Sequence, residues 1–204
     1  GDRRWDNPGN WSTGVLPTAV DKTGIRNSGD GPIIDSVTTA QTAAMPIGDW
    51  SNSGALDITG GSLSVNGWCI LGYGGADEGT LNVSGGTATI VGNNHLTIAR
   101  AGTGNLNMSG GSIEVGDRLY VASQESGTGN ITMTGGLIAI NDDLYAGRPG
   151  KAHIDMSDGV ISIEDSMRLG DGATGEADLT MTGGSITLGG RMQIGLNNAL
   201  GELF

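Results

Sequence analysis

Short runs of alternating apolar and polar residues recur along most of this chain at a fixed spacing. The sequence LNVSGG at 81–86 recurs as LNMSGG at 106–111, and similar runs occur at four more places. The last glycines of the six runs are Gly61, Gly86, Gly111, Gly136, Gly159 and Gly184, spaced 25 residues apart except for a 23-residue step before Gly159. A constant period of this size predicts a solenoid, in which each repeat buries apolar residues against its neighbours.

Each repeat contains three short stretches in which every second residue is apolar, as expected for β-strands with one buried face. In one repeat the predicted inward residues are Leu106 and Met108 on the first strand, Ile113 and Val115 on the second, and Leu119 and Val121 on the third. Three strands and three bends in about 25 residues predict an all-β fold, a right-handed parallel β-helix of about seven turns. Left-handed β-helices usually have shorter turns.

Residues 1–54 do not follow the repeat, and we expect them to form an N-terminal cap and a degenerate first turn. Segments 32–35 and 44–48 resemble strands that lie one turn before the regular ones. We assign residues 55–204 to six regular turns of the same single domain. Because a solenoid needs a cap over its open end, we expect Trp5, Trp11 and Trp50 to pack over the first layer of the core.

From both ends of the sequence we expect a module of a larger protein, attached to other domains. Residues 1–5 lack the apolar segment of a signal peptide, and residues 201–203 resemble the start of a further repeat. An uncovered last turn would also offer unpaired strand edges. An end-to-end dimer is therefore a second expectation.

The charge of the chain excludes one large class of partners. Its 22 acidic and 10 basic residues give a net charge of -12, which is unsuited to binding the phosphates of nucleic acids. The sequence has no apolar run of about 18 residues, so we expect no membrane insertion. The single cysteine, Cys69, lies at a predicted inward position, which excludes an internal disulfide and favours a buried, unreactive thiol.

The aromatic and arginine residues of the regular turns are concentrated on one side. From residue 55 onward, every Trp, Tyr and Arg lies at the entrance of the third strand, on its outward positions or in the loop after it. We call this surface the third-strand face. Its candidate ligand-binding residues are Trp68, His95, Arg118, Tyr120, Tyr145, Arg168, Arg191 and Gln193.

Clustered aromatic and arginine side chains suit a polysaccharide ligand. The C–H faces of sugar rings stack on aromatic rings, and guanidinium groups donate to hydroxyl and carboxylate oxygens. Tyr120 and Tyr145 are equivalent residues of adjacent turns, so we expect them to be neighbours. The alternative is that this face packs against another part of the parent protein.

A column of acidic residues marks the bend before the third strand. Asp117, Asp142 and Asp165 stand at the same offset from the glycine pair, with Asp143 and Glu164 beside them. Stacked carboxylates repel one another, and a Ca²⁺ ion bound by their oxygens would relieve that repulsion. The alternative is that aspartate is simply a good turn former. We expect no required cofactor, with Ca²⁺ as the ion that this column could hold.

The opening of the chain resembles a known group of proteins. The sequences NWS at 10–12 and GVLPT at 14–18, with Asp21 and the later Thr/Ser-Gly-Gly turns, resemble large bacterial surface and autotransporter-like β-helix proteins. The architecture is also similar to pectate-lyase-like enzymes and to β-helical carbohydrate-binding modules found beside plant-polysaccharide hydrolases. This resemblance implies a bacterial protein that is secreted or held at the cell surface, with a plant-type polysaccharide such as xylan as its ligand.

The main functional hypothesis is therefore a non-catalytic carbohydrate-binding module. A β-helix polysaccharide lyase or hydrolase is the alternative, with Arg118, Arg168 or His95 in catalytic roles in a lyase and a pair of carboxylates in a hydrolase. The short bends between strands do not predict the long loops that usually build a catalytic cleft. A third hypothesis is a structural or adhesin segment of a bacterial surface protein, in which the repeat acts as a spacer.

Overall fold

The computed structural model describes residues 2–27, 30–196 and 200–203, and most of them lie in β-strands. A short 3-10 helix, Pro8–Asn10, precedes the strands. None of the described helical residues forms a segment long and apolar enough to cross a membrane. The strands are β1 (Ile33–Ile34), β2 (Thr39–Thr42), β3 (Met45–Ile47), β4 (Ser53–Val65), β5 (Cys69–Leu71), β6 (Glu78–Ile90), β7 (Leu96–Ile98), β8 (Thr103–Val115), β9 (Leu119–Val121), β10 (Thr128–Ile140), β11 (Leu144–Ala146), β12 (Lys151–Ile163), β13 (Met167–Asp171), β14 (Glu176–Met181), β15 (Ser185–Leu188), β16 (Met192–Leu196) and β17 (Leu200–Leu203).

The described strands pair in parallel with strands one turn away. One sheet has the order β1-β4-β6-β8-β10-β12-β14-β17, with β2 beside β4 and β15 beside β12. The other sheet has the order β3-β5-β7-β9-β11-β13-β16. Leu81 accordingly pairs with Leu56 on one side and with Leu106 on the other. The chain is thus an all-β parallel β-helix of about seven turns, as predicted, and the arrangement is consistent with right-handed coiling.

The regular turns up to β12 have fewer separate strands than the sequence predicts, whereas β14 and β15 of the next turn are separate, as predicted. In those turns the predicted first and second strands form one 13-residue strand, which bends at the glycine pair in β10 and at Asp158 and Gly159 in β12. The pairing of these two strands shifts register around Thr134 and resumes at Leu137, so the ladder continues past the bend. Glycine is required at this bend, because Gly86 has a φ of 72° and a Cβ atom there would lie 2.3 Å from the Gly60 carbonyl oxygen.

The core consists of columns of equivalent apolar residues stacked from turn to turn. Leu106, Ile113 and Leu119 come from the three sides of one turn and are fully buried, as are their equivalents in the neighbouring turns. Met108, Met133 and Met156 of the methionine column are buried as apolar filler, and Met181 at its end is partly buried. Cys69 is buried too, and burial raises the pKa of its thiol to about 12. The predicted inward positions are therefore confirmed in these turns.

The N-terminal segment supplies one more turn and part of a cap. Strands β1 and β2 pair with β4, and β3 pairs with β5, so the two degenerate segments lie one turn before the regular repeats, as predicted. Trp5 is buried, and the Trp11 ring packs edge-on against it with centroids 4.7 Å apart. The Trp11 Nε1 also donates to the Trp5 carbonyl oxygen at 2.8 Å. The boundary between residues 54 and 55 stays a prediction.

The predicted place of Trp50 in this cap is wrong. Its side chain is 78% exposed. The reason is the register of the first turn, in which Ile47 pairs with Leu71 at the end of the third strand. Trp50 therefore lies in the loop after that strand, where the chain runs outside the core.

The loops after the third strand differ in length without disturbing the pairing. The six residues 122–127 join β9 to β10, whereas the four residues 147–150 join β11 to β12. This difference of two residues accounts for the single 23-residue step. Ile131 still pairs with Ile154 across that step, so the strands remain in register.

The last described turn has an open apolar side. Met192 and Ile194 are 37% and 43% exposed, because β16 is the end strand of its sheet in the described part of the chain. Attachment to further domains and end-to-end dimerisation would both involve this surface, and both stay predictions.

Candidate functional site

The register of the short strands places the predicted ligand-binding residues in one row. Tyr120 on β9 pairs with Tyr145 on β11, which pairs with Arg168 on β13. Arg168 in turn pairs with Gln193 on β16. Because adjacent strands of a sheet lie about 4.8 Å apart, these four residues are evenly spaced along the axis of the β-helix on the third-strand face.

The aromatic rings of this row stack on one another. The Tyr120 and Tyr145 rings are nearly parallel, with an angle of 16° between their planes and a distance of 5.3 Å between their centroids. The His95 ring meets the Tyr120 ring edge-on, with centroids 5.6 Å apart. The Arg168 guanidinium lies 4.7 Å from the Tyr145 ring, and that of Arg148 lies 4.6 Å from it. Tyr145 is consequently only 8% exposed. Its neighbours cover the ring, so it cannot offer a flat face to a sugar.

Asp143 accepts hydrogen bonds from two side chains of this stack. Its Oδ2 atom accepts from the Tyr145 hydroxyl at 2.9 Å and from Arg168 at 2.6 Å, and its Oδ1 atom accepts from the Ser166 backbone N–H at 3.0 Å. Burial raises the pKa of the Asp143 carboxyl, but the three hydrogen bonds outweigh burial and hold that pKa below its usual value. The carboxylate is therefore charged at neutral pH and fixes the Tyr145 and Arg168 side chains.

Arg118 stands beside the same row. It forms an ion pair with Asp142 at 3.0 Å, and its Nε atom is buried without an acceptor among the described residues. A hydrogen bond with Tyr120, followed by the charge of Asp142, raises the pKa of the Arg118 guanidinium. Arg118 thus links the acidic bend to the half-buried Tyr120.

The other predicted site residues lie at the two ends of the row. Trp68 is half-buried, with the Tyr73 ring centroid 6.0 Å away and the Lys22 Nζ atom 4.7 Å from its own centroid. At the far end, Gln193 accepts from the Arg168 Nε at 3.0 Å. Arg191 is exposed at the entrance to the last turn. The structure therefore spreads the predicted residues along one side instead of gathering them into a single pocket.

The acidic column is assembled differently from the predicted one. Ligand oxygens of Asp142, Asp143 and Asp165 lie within 4.8 Å of one another, whereas Asp117 is outside this group. Arg118 contacts Asp142, and Asp143 accepts from three donors. These contacts relieve the repulsion for which calcium was invoked, and the calcium site stays a prediction.

A second feature of this side of the molecule was missed by the sequence analysis. A cleft of about 390 Å³ separates the cap loop from the first turn, and we call it the N-terminal cleft. Its walls include Trp11, Lys22, Arg26 and the exposed Trp50. One sequence signal could have found it. Trp50 stands three residues after Ile47, in the loop that follows the third strand, and the same loop in later turns carries Tyr73, Arg100 and Arg148.

Comparison with models of protein families, with characterised proteins and with solved structures gives no significant match to this chain.

Proposed function

We propose that this chain is a non-catalytic carbohydrate-binding module and that the third-strand face is its ligand surface. One observation carries the proposal: the aromatic and guanidinium groups of the regular turns stand in one ordered row, stacked from His95 through Tyr120 and Tyr145 to Arg168. Nothing in the folding of a β-helix requires such a row, because the core is complete without it.

The fixed conformation of the side chains in the row favours binding. Side chains that are already fixed by packing and hydrogen bonds lose little conformational entropy when a ligand binds. Asp143 holds Tyr145 and Arg168 in this way. The row also repeats at the strand spacing of about 4.8 Å, which suits a ligand that is itself a repeating chain.

The residues of the row have different roles in this proposal. Tyr145 and Asp143 are positioning residues, since both are buried. Tyr120 and Arg118 lie nearer the solvent and present a hydroxyl edge and guanidinium N–H groups to the ligand. Trp68 offers an aromatic ring at the end of the row. Guanidinium donors favour carboxylate acceptors, so a xylan-like polysaccharide with acidic branches is the favoured ligand.

The catalytic alternative receives less support from these contacts. Asp143 and Arg168, which a lyase or hydrolase could use, bind each other at 2.6 Å. A general base must instead be free to accept a proton from the substrate. The binding proposal also places the protein outside the cell, secreted or at the surface of a bacterium, where plant-type polysaccharides are found.

Affinity electrophoresis tests this proposal, with glucuronoxylan, pectin, β-glucan or alginate cast in the gel. We expect an acidic polysaccharide to retard the wild type and Tyr120→Ala to lose that retardation. Thr132→Ala is the matched control, because Thr132 is an exposed residue on the first-strand side. Equal mobility of wild type and Tyr120→Ala in every gel would overturn the proposal. Release of unsaturated, ultraviolet-absorbing oligosaccharides would favour the lyase.

A further inference from the structure

Trp50 presents a large aromatic ring to solvent in a chain that buries most of its apolar side chains. The residue is 78% exposed. Tryptophan contributes more apolar surface than other residues and is usually well buried. An exposed tryptophan beside a cleft is therefore a candidate ligand contact.

The turn that carries Trp50 is held firmly by polar contacts of its neighbours. Trp50 and Ser51 both have left-handed backbones, with φ values of 56° and 62°, which non-glycine residues rarely adopt. The Ser51 N–H donates to the Asp77 carboxylate, and the Asn52 side chain donates to the Trp50 carbonyl oxygen at 2.9 Å. The backbone is thus fixed while the ring remains in water.

One side of the ring is also fixed. The Arg26 guanidinium lies 4.1 Å from the centroid of the Trp50 ring, and the carboxylate of Asp49 binds both its Nε and its Nη2 atoms. Asp49 is buried, so this ion pair is well ordered. The indole is consequently a rigid platform that does not need to reorganise on binding.

The N-terminal cleft beside this platform has the size of a small-molecule site. Its volume of about 390 Å³ falls within the range of about 300–1,000 Å³ that is usual for ligand pockets. The cap loop contributes the apolar side chains of Trp11, Val15, Leu16 and Pro17 to the lining of the cleft. A ring with an apolar face therefore matches the shape and chemistry of the cleft.

The charged residues that line the cleft favour a ring that carries a carboxylate. Lys22 is exposed and forms no ion pair with any described residue, whereas the charge of Arg26 is neutralised by Asp49. Asp21 also lines the cleft, but its Oδ2 atom accepts from the backbone N–H and the hydroxyl of Thr18. Lys22 is thus the cation available to a ligand carboxylate. Its Nζ atom lies 4.7 Å from the Trp68 ring centroid, so the cleft lies beside one end of the third-strand face.

We infer that the N-terminal cleft binds a uronic-acid residue of an oligosaccharide. The apolar face of the sugar ring stacks on Trp50, and its carboxylate binds Lys22. This inference rests on the proposed function in its ligand class, but it assigns a separate site on different residues.

Isothermal titration with oligogalacturonate, and with xylotetraose as a neutral probe, tests the inference. We expect oligogalacturonate to bind the wild type and xylotetraose to bind at least tenfold more weakly. Trp50→Ala should lose at least tenfold in affinity for oligogalacturonate, and Lys22→Ala should remove the preference for the charged probe. Val37→Ala is the control, because Val37 is also exposed and lies outside the cleft.

The variants separate the two sites. Since the Trp50 ring is largely in solvent, Trp50→Ala should keep the wild-type melting temperature. Retention of oligogalacturonate affinity by Tyr120→Ala but not by Trp50→Ala would support the cleft. The reverse result would overturn this inference and leave the proposed function standing. No binding of oligogalacturonate by the wild type would overturn the cleft inference, whatever the third-strand face binds.

Discussion

The Tyr145 hydroxyl donates a 2.9 Å hydrogen bond to the Oδ2 atom of Asp143, two residues earlier in the same turn. The same oxygen accepts from Arg168 of the next turn at 2.6 Å. One carboxylate thereby joins two adjacent turns directly beneath the third-strand face. It links the stability of the β-helix to the order of its proposed ligand surface.

Replacement of this carboxylate should destabilise the protein. Asp143→Asn leaves Arg168 without its carboxylate partner in a largely buried place, and we expect a loss of about 2–4 kcal/mol in the free energy of unfolding. Asp155→Asn is the matched control, since Asp155 is exposed on the first-strand side, and it should change stability by less than about 0.5 kcal/mol. Urea unfolding measures both. Similar losses in the two variants would contradict this role of Asp143.

Acid should weaken the contacts of Asp143 with Tyr145 and Arg168. The hydrogen bonds to Asp143 hold the pKa of its carboxyl below the usual value, whereas an unfolded aspartate has a pKa of about 3.9. The unfolded chain therefore binds the proton first as the pH falls. The stability from this group is complete above about pH 4 and is lost as the pH falls through the folded pKa.

We accordingly expect the melting temperature to fall in strongly acidic solution and to fall less steeply in Asp143→Asn. Thermal unfolding followed by circular dichroism over a series of pH values compares the two proteins. Parallel curves for wild type and variant would show that Asp143 does not contribute to the acid sensitivity.

The second glycine at the bend of the long strands should tolerate no side chain. Gly86→Ala places a Cβ atom against the Gly60 carbonyl oxygen on a left-handed backbone. We expect it to cost at least about 3 kcal/mol of stability or to prevent folding. Gly75→Ala is the control, because a Cβ atom at Gly75 would meet nothing within 4 Å. If both variants melted at the wild-type temperature, the bend would be more adaptable than its geometry indicates.

The acidic bend gives a test of the calcium hypothesis. Arg118 forms an ion pair with Asp142, so its positive charge stands where a calcium ion would otherwise be favoured. We expect millimolar Ca²⁺ to raise the melting temperature of Arg118→Gln more than that of the wild type, because a ligand of the folded state stabilises it. Mg²⁺ is the control ion. No response of either protein to Ca²⁺ would contradict a calcium site at this bend.

Periodicity in the sequence was sufficient to predict the course of the backbone. Stacked positions such as Leu81 and Leu106 share one environment, so a repeated apolar residue reports a repeated inward direction. The number of strands per turn was harder to predict from the sequence. Whether the ladder is interrupted at a glycine pair depends on hydrogen bonds between neighbouring turns, which the sequence of one turn does not reveal.

The sequence predicted the location of the candidate site but not the packing of its side chains. Tyr120 and Tyr145 were expected to be neighbours, and their rings are 5.3 Å apart. The sequence did not reveal that Tyr145 would be buried beneath two guanidinium groups, since that depends on rotamers. It also misplaced Trp50, because a tryptophan near a solenoid end is chemically equally suited to capping the core and to contacting a ligand.

The four-residue loop at 147–150 differs by two residues from its equivalent at 122–127, and the strands on either side keep their register. The backbone thus tolerates insertion and deletion at the edge of the proposed ligand surface. Changes in the length of these loops can therefore reshape the proposed ligand surface while the stacked core remains constant.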